Sequence, residues 1–243
     1  MSIQALILLA SLGPVKRVHV PQMGSQEVFF QAAPQSGDLI RNGLHPLAVI
    51  LTDHRHKPSK IEKLFHGLGV GGFNRLAIPL PRPTANTHIL VSSAIDWALK
   101  QPATDPKRVY IIGAEATAIG GIHAAIQRTE SIRGLVWLSP VLNSGAESVL
   151  PLLSKLAPLP VVLTADVSDR SATSAVSTLR TVLKLRFPDV RRIRRAKLGR
   201  GTSQLEQSAT LADQLIITLR TWAEKNCDRT APKKKTLNEG CKK

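Results

Sequence analysis

Histidine is missing from this chain after position 123, and cysteine occurs only near its end, at Cys227 and Cys241. The cysteines therefore cannot staple a core, and their spacing is not that of a metal knuckle. A disulfide closing the tail on itself would need an oxidising compartment. Aromatic residues make up 4% of the chain, few for the stacking platforms that single-stranded nucleic acid needs. No apolar run approaches the ~20 residues of a membrane-spanning helix. The run at residues 3–12 lacks a basic leader and a small-x-small cleavage site. A first strand or helix turn packed on the domain is preferred there over a secretory signal. The compartment expected is the cytoplasm, with secretion or the periplasm as the alternative if that run is a signal.

Acidic residues are scarce as well, 17 against 33 lysines and arginines, for a formal charge of +16. The excess is concentrated. Residues 186–200 carry +6 with Asp189 the lone acid, and residues 225–243 carry +5. Such local charge attracts polyanions. The candidate contacts are Arg191, Arg192, Arg194, Arg195 and Lys197 in the first segment, and Lys233, Lys234 and Lys235 in the second. The plainer reading is a solvated edge strand, whose basic side chains block edge-to-edge pairing, followed by a polar tail.

What is present is a regular alternation of short apolar runs and amphipathic segments. Residues 15–20 and 27–32 alternate apolar and polar around Met23-Gly24-Ser25, which predicts an antiparallel hairpin. The uninterrupted apolar run at 47–51 and the run at 76–80 predict strands buried on both faces, and 109–112, 132–138 and 160–164 are predicted as further strands. A further strand is expected over 190–198. Between them, helical stripes are predicted at 58–67 (closed by Gly67), 86–100, 116–128, 146–156, 172–185 and 203–225. The pattern predicts an α/β fold: a mostly parallel twisted sheet of about eight strands, helices on both faces, and an antiparallel N-terminal hairpin. With 243 residues, 43% of them hydrophobic, residues 1–225 are expected to form one domain and 226–243 a disordered basic tail.

The stretch Val109-Tyr110-Ile111-Ile112-Gly113-Ala114-Glu115-Ala116-Thr117 runs an apolar strand into a turn of small residues that opens a helix. It resembles the G-x-S-x-G nucleophile elbow of α/β-hydrolases, in which small residues let a sharp turn expose the serine. Asp105-Pro106-Lys107-Arg108-Val109 before it, Leu135-Val136-Trp137-Leu138-Ser139-Pro140, Pro160-Val161-Val162-Leu163-Thr164-Ala165 leading to Asp169, and Gly199-Arg200-Gly201-Thr202 extend the likeness. Over about residues 14–225 the chain resembles the dienelactone-hydrolase-like branch of that fold.

The resemblance places the family's serine, acid and histidine on Glu115, Asp169 and Arg200. A serine hydrolase needs a hydroxyl to attack and an imidazole to shuttle its proton. Arginine does not release a proton at any working pH. Where the family's third strand ends in His-Gly, this chain has Thr52-Asp53-His54, so Asp53 and His54 occupy the oxyanion segment. Arg200 is expected to fork between the two carboxylates, as a buried, paired triad.

Two weaker motifs point elsewhere. Asp53-His54-Arg55-His56 contains an H-x-H that could offer His54 and His56 to a metal; with arginines nearby, no metal and no cofactor is expected. Gly67-Leu68-Gly69-Val70-Gly71-Gly72 spells G-x-G-x-x-G, but it follows a helix and precedes a strand, the reverse of a dinucleotide site. It reads as a helix cap and turn. Ser139 reads as a turn residue before Pro140. Three functions are therefore expected in order: a non-catalytic binding or structural module, an atypical ester or lactone hydrolase, and a polyanion-binding protein. The partners implied are a small molecule or protein at the former active site and a polyanion on the basic segments.

Overall fold

The computed structural model describes residues 16–19, 27–34, 38–53, 59–80, 87–144, 147–195 and 198–225. Its centre is built from the apolar runs. Leu47, Ala48, Val49, Ile50 and Leu51 of β3 (His45–Asp53) are all interior. Alternate residues feed opposite layers, so a strand with no polar positions must be covered on both sides. β4 (Asn74–Leu80), β5 (Thr104–Ala114), β6 (Ile132–Leu138) and β9 (Val161–Asp166) follow the same rule. The N-terminal hairpin forms as expected: β1 (Lys16–His19) pairs antiparallel with β2 (Glu27–Gln31), which pairs antiparallel with β4. From there the sheet is parallel through β10 (Val190–Arg195), and the eight strands lie in the order β1-β2-β4-β3-β5-β6-β9-β10.

Two apolar layers flank this sheet. One takes the inner faces of α1 (Ser59–Val70), α6 (Ser203–Gln207) and α7 (Ala209–Lys225). The other takes α2 (Thr87–Leu99), α3 (Thr117–Gln127), α4 (Val149–Lys155) and α5 (Arg170–Lys184). None of the described helices is long and apolar enough to cross a membrane.

Several boundaries differ from the expectation, each for a local reason. Helix α1 does not close at Gly67. It continues to Val70, and the left-handed residue is Gly72, at φ 89°. Gly67 and Gly69 serve close approach instead: a Cβ at Gly67 would lie 2.3 Å from Ile216, and one at Gly69 1.9 Å from the Arg75 guanidinium. The helix expected over 203–225 is broken at Ser208, whose extended backbone ends α6 and whose hydroxyl accepts from Leu211 N–H to open α7. Helix α4 begins only at Val149, because Glu147–Ser148 (β8) pairs with Asn143–Ser144 (β7). Leu198 is not in β10; its N–H turns to Asp166.

Candidate functional site

A sharp turn lies where β5 meets α3. Ala114 ends the strand, Thr117 starts the helix, and Glu115 between them takes a left-handed φ of 48°. A side chain in that region costs roughly 1–3 kcal/mol and persists only where its surroundings dictate it. They do so here. Glu115 N–H donates to Leu138 O at 2.8 Å, and Trp137 Nε1 donates to Glu115 O at 2.8 Å. The Thr117 hydroxyl accepts from Ala114 N–H and donates to Ala114 O. Gly113 is required, since a Cβ there would meet Ala118 Cα at 2.5 Å. The Glu115 side chain is thus delivered to the carboxyl edge of the sheet, where ligands of open α/β folds bind.

Two further elements bring the other expected residues to it. Asp169 follows β9 and caps α5, its Oδ1 accepting from Ala172 N–H at 3.0 Å. Its Oδ2 is buried without a hydrogen bond. Arg200 comes from a turn held open by Gly199 and Gly201, at φ 75° and 57°. Its Nε donates to Glu115 Oε1 at 2.6 Å and lies 3.7 Å from Asp169 Oδ2. The three side chains therefore converge, but not as a symmetric fork. A single N–H faces both acids, and Glu115 holds the hydrogen bond. Nor is the group buried: the Arg200 side chain is 62% exposed, Glu115 30% and Asp169 15%. Arginine reaches the acids from the solvent side, so the expected buried triad is corrected to a half-exposed ion pair with a nearby second carboxylate.

The turn that carries Arg200 is fastened by residues the sequence reading did not single out. Asp166, at the end of β9, accepts through Oδ2 from Leu198 N–H at 2.5 Å and Gly199 N–H at 2.9 Å. Its Oδ1 accepts from Ser168 N–H and the Ser168 hydroxyl. The Ser168 bonds, with those from Gly199 and Leu198, hold its carboxyl below the usual aspartate range against the opposing effect of burial. The spacing Asp166-x-Ser168 after a strand was the available signal, an Asx turn. Ser139 is also more than a turn residue. It is 1% exposed, left-handed at φ 46°, and its Oγ accepts from Gly201 N–H and Gln204 Nε2. Gln204 Oε1 in turn accepts from Thr164 Oγ1. This buried chain ties β6, β9 and α6 together, and so fixes the Arg200 turn against the elbow.

Other candidates fall apart or outside. Asp53 ends β3, half-buried, on the same sheet edge. His54, His56, Lys197, Lys233, Lys234 and Lys235 lie outside the described residues, as do Cys227 and Cys241. Among the described residues no group of three or more histidine, cysteine, aspartate or glutamate side chains is placed to hold a metal. The glycine-rich run is the end of α1 and its turn. The arginines of β10 stand on the edge strand of the sheet. Val190 packs into the layer of α2–α5 and Ile193 into the layer of α1, α6 and α7. By strand alternation Arg192 and Arg194 therefore share the first side, and Arg191 and Arg195 the second. The basic segment is not one patch.

No protein-family model matches this chain, and no curated protein matches it in sequence. Solved structures do match in shape. A dienelactone hydrolase from Anabaena variabilis superposes with a TM-score of 0.62 at 15% identity, covering 87% of this chain and 97% of that one. The Pyrococcus furiosus esterase Pf2001 gives 0.67 at 12%, over 93% and 94%. The carboxylesterase EstE1, cloned from a metagenomic library, gives 0.64 at 14%, over 90% and 94%.

Proposed function

We propose that this chain, which has the α/β-hydrolase fold, is a non-catalytic member of it, acting as a binding or structural module at its former active-site edge. One observation carries the reading: the tip of the elbow holds Glu115, hydrogen-bonded at 2.6 Å to Arg200. In the intact machinery those positions supply an attacking hydroxyl and a base that cycles its proton. A carboxylate bound to a permanent cation is a poor nucleophile, because its charge is already engaged. Arginine keeps its protons at any working pH, so it can neither take one from a nucleophile nor give one to a leaving group. The strained turn persists, and the site it would expose is filled by a charge pair.

The hydrolases among the structural neighbours favour a second reading over this one, an atypical hydrolase of esters or lactones. There Glu115 would attack the acyl carbon, form an acyl anhydride and release the alcohol. Water would then cleave the anhydride and restore the carboxylate. One assay separates the two. Purified protein is incubated with an activated acetate ester and, separately, with a fluorophosphonate probe. The non-catalytic reading expects background hydrolysis and no labelled serine. Turnover that disappears in Glu115→Gln would establish the hydrolase reading, and stoichiometric labelling of any serine would overturn both assignments of Glu115.

A further inference from the structure

We infer that the outer edge of β10 is a docking site for an extended acidic peptide, which adds to the sheet as a further strand. This surface is separate from the elbow and stands whichever function the elbow serves. The first observation is geometric. Among the described strands β10 ends the order, with β9 as its one partner in the sheet. Asp189 O accepts from Val161 N–H and Arg195 O from Val167 N–H, both on the β9 side. Backbone groups alternate sides along a strand, so the N–H and C=O of Val190, Arg192 and Arg194 are the ones turned outward. An open edge of this kind is a template for strand addition, in which main-chain hydrogen bonds supply affinity.

Charge identifies the occupant. The edge reads Val190-Arg191-Arg192-Ile193-Arg194-Arg195, with Arg191, Arg192 and Arg194 exposed. A second copy of this strand would bring arginine against arginine, and the lysine-rich segment at 233–235 would do the same. Both are disfavoured by like charge facing like charge. An acidic partner is favoured, and the placement of the arginines says which kind. They project to both sides of the sheet, two and two. A duplex or a polysaccharide laid on one side meets one pair. A strand in the plane of the sheet sends its own side chains alternately to both sides, so consecutive glutamates or aspartates reach both pairs. Arg191 is already paired with Asp189 at 3.1 Å, whereas Arg192 and Arg194 make no hydrogen bond or ion pair among the described residues. Arg192 and Arg194 are the expected anchors on one side of the sheet, and Arg195, which likewise has no side-chain partner among the described residues, is the anchor on the other.

The test uses the full chain and a short dye-labelled peptide of mixed glutamate, threonine and valine, followed by fluorescence anisotropy at physiological salt. A second peptide of the same sequence carries N-methyl groups on alternate residues, which removes its edge-facing donors and leaves its charge intact. Strand addition expects the methylated peptide to bind at least tenfold more weakly. Arg192→Gln/Arg194→Gln should lose a similar factor toward the unmethylated peptide, with an unchanged circular-dichroism spectrum. Equal binding of the two peptides would overturn the inference in favour of diffuse electrostatics. Tighter binding of heparin or duplex DNA than of the peptide would overturn it in favour of a general polyanion surface. Failure of the peptide to bind at all would overturn it outright.

Discussion

Arg200 shows how exposure decides what an ion pair is worth. Its contact with Glu115 is short, yet its side chain is 62% exposed, and exposed pairs contribute about 0–1 kcal/mol. Replacing Arg200 with methionine should therefore lower the unfolding free energy, from urea titration at neutral pH, by less than about 1 kcal/mol. A loss of 3 kcal/mol or more would mean that the carboxylates are effectively buried. Asp166 is the contrasting case. It is 3% exposed and accepts from four donors, so Asp166→Asn turns an amide N–H₂ toward N–H groups and should cost about 1–3 kcal/mol. Its depressed folded-state pKa gives stability that is fully present above the unfolded value, near 3.9, and is lost as pH falls through the folded value. The gap between the parent and Asp166→Asn, followed by denaturant titration, should therefore narrow below about pH 4 and hold steady above it.

His45 works in a different window. It is 3% exposed, with Nδ1 3.1 Å from Gly72 O, and burial holds its pKa below the ordinary value of 6.5, a nearby Arg108 adding to the effect. A folded-state histidine that resists protonation destabilises the native state once the unfolded chain can bind the proton. Stability should thus fall as pH drops below about 6.5, and His45→Gln should flatten that slope between pH 6.5 and 5. An unchanged slope in the variant would assign the acid loss to other groups.

At the level of elements, β5 and α3 show why the sequence was readable where it was. An apolar strand, a glycine and a helix of small residues have one way to fit, because Gly113 must sit against the backbone of Ala118. Gly113→Ala places a Cβ 2.5 Å from Ala118 Cα, and backbone cannot step aside as a flexible side chain can. Overpacking of this kind costs about 1–3 kcal/mol, so thermal melting should show a clear loss, with Gly43→Ala as a strained but uncrowded comparison. The strands and their two-sided burial were legible for the same reason: a run such as 47–51 has no polar position to expose. What the sequence hid was polar and long-range. Ser139, Gln204 and Thr164 meet only once β6, β9 and α6 are assembled, and nothing in their spacing announces it. The depth of Arg200 was misjudged because the resemblance supplies a position in the chain without saying from which side the side chain arrives. Gly67 and Gly69 looked like a cap because glycine favours turns. Their role in admitting Ile216 and Arg75 needs the neighbouring elements in place.

For the whole molecule, the sheet separates two apolar layers, and α7 closes one of them. Leu211, Leu215, Leu219 and Trp222 are all interior, and Trp222 lies over Gly134, where a Cβ would approach its ring within 2.6 Å. The same indole reaches Asp189 through Nε1, 3.4 Å away, beside the start of β10. Helix α7 thus fastens the centre of the sheet and its far edge together, and the last described residue, Lys225, comes one turn after that anchor. Two truncation-scale outcomes follow from this placement. Trp222→Ala removes a buried ring and its contact on Gly134, a change that costs about 3–5 kcal/mol. Residues 226–243 are polar and lysine-rich in sequence, with little apolar surface to bury, so a chain ending at Lys225 is expected to match the parent's stability within about 0.5 kcal/mol. Differential scanning calorimetry on both would check them, and a large drop in melting temperature on removing 226–243 would show that the tail packs on the domain. The net charge adds a condition to that comparison. Removing the tail also removes +4 of the formal charge, which lowers self-repulsion, so both proteins should be melted at several salt concentrations. Convergence at high salt would assign the remaining difference to charge; a salt-independent difference would assign it to packing.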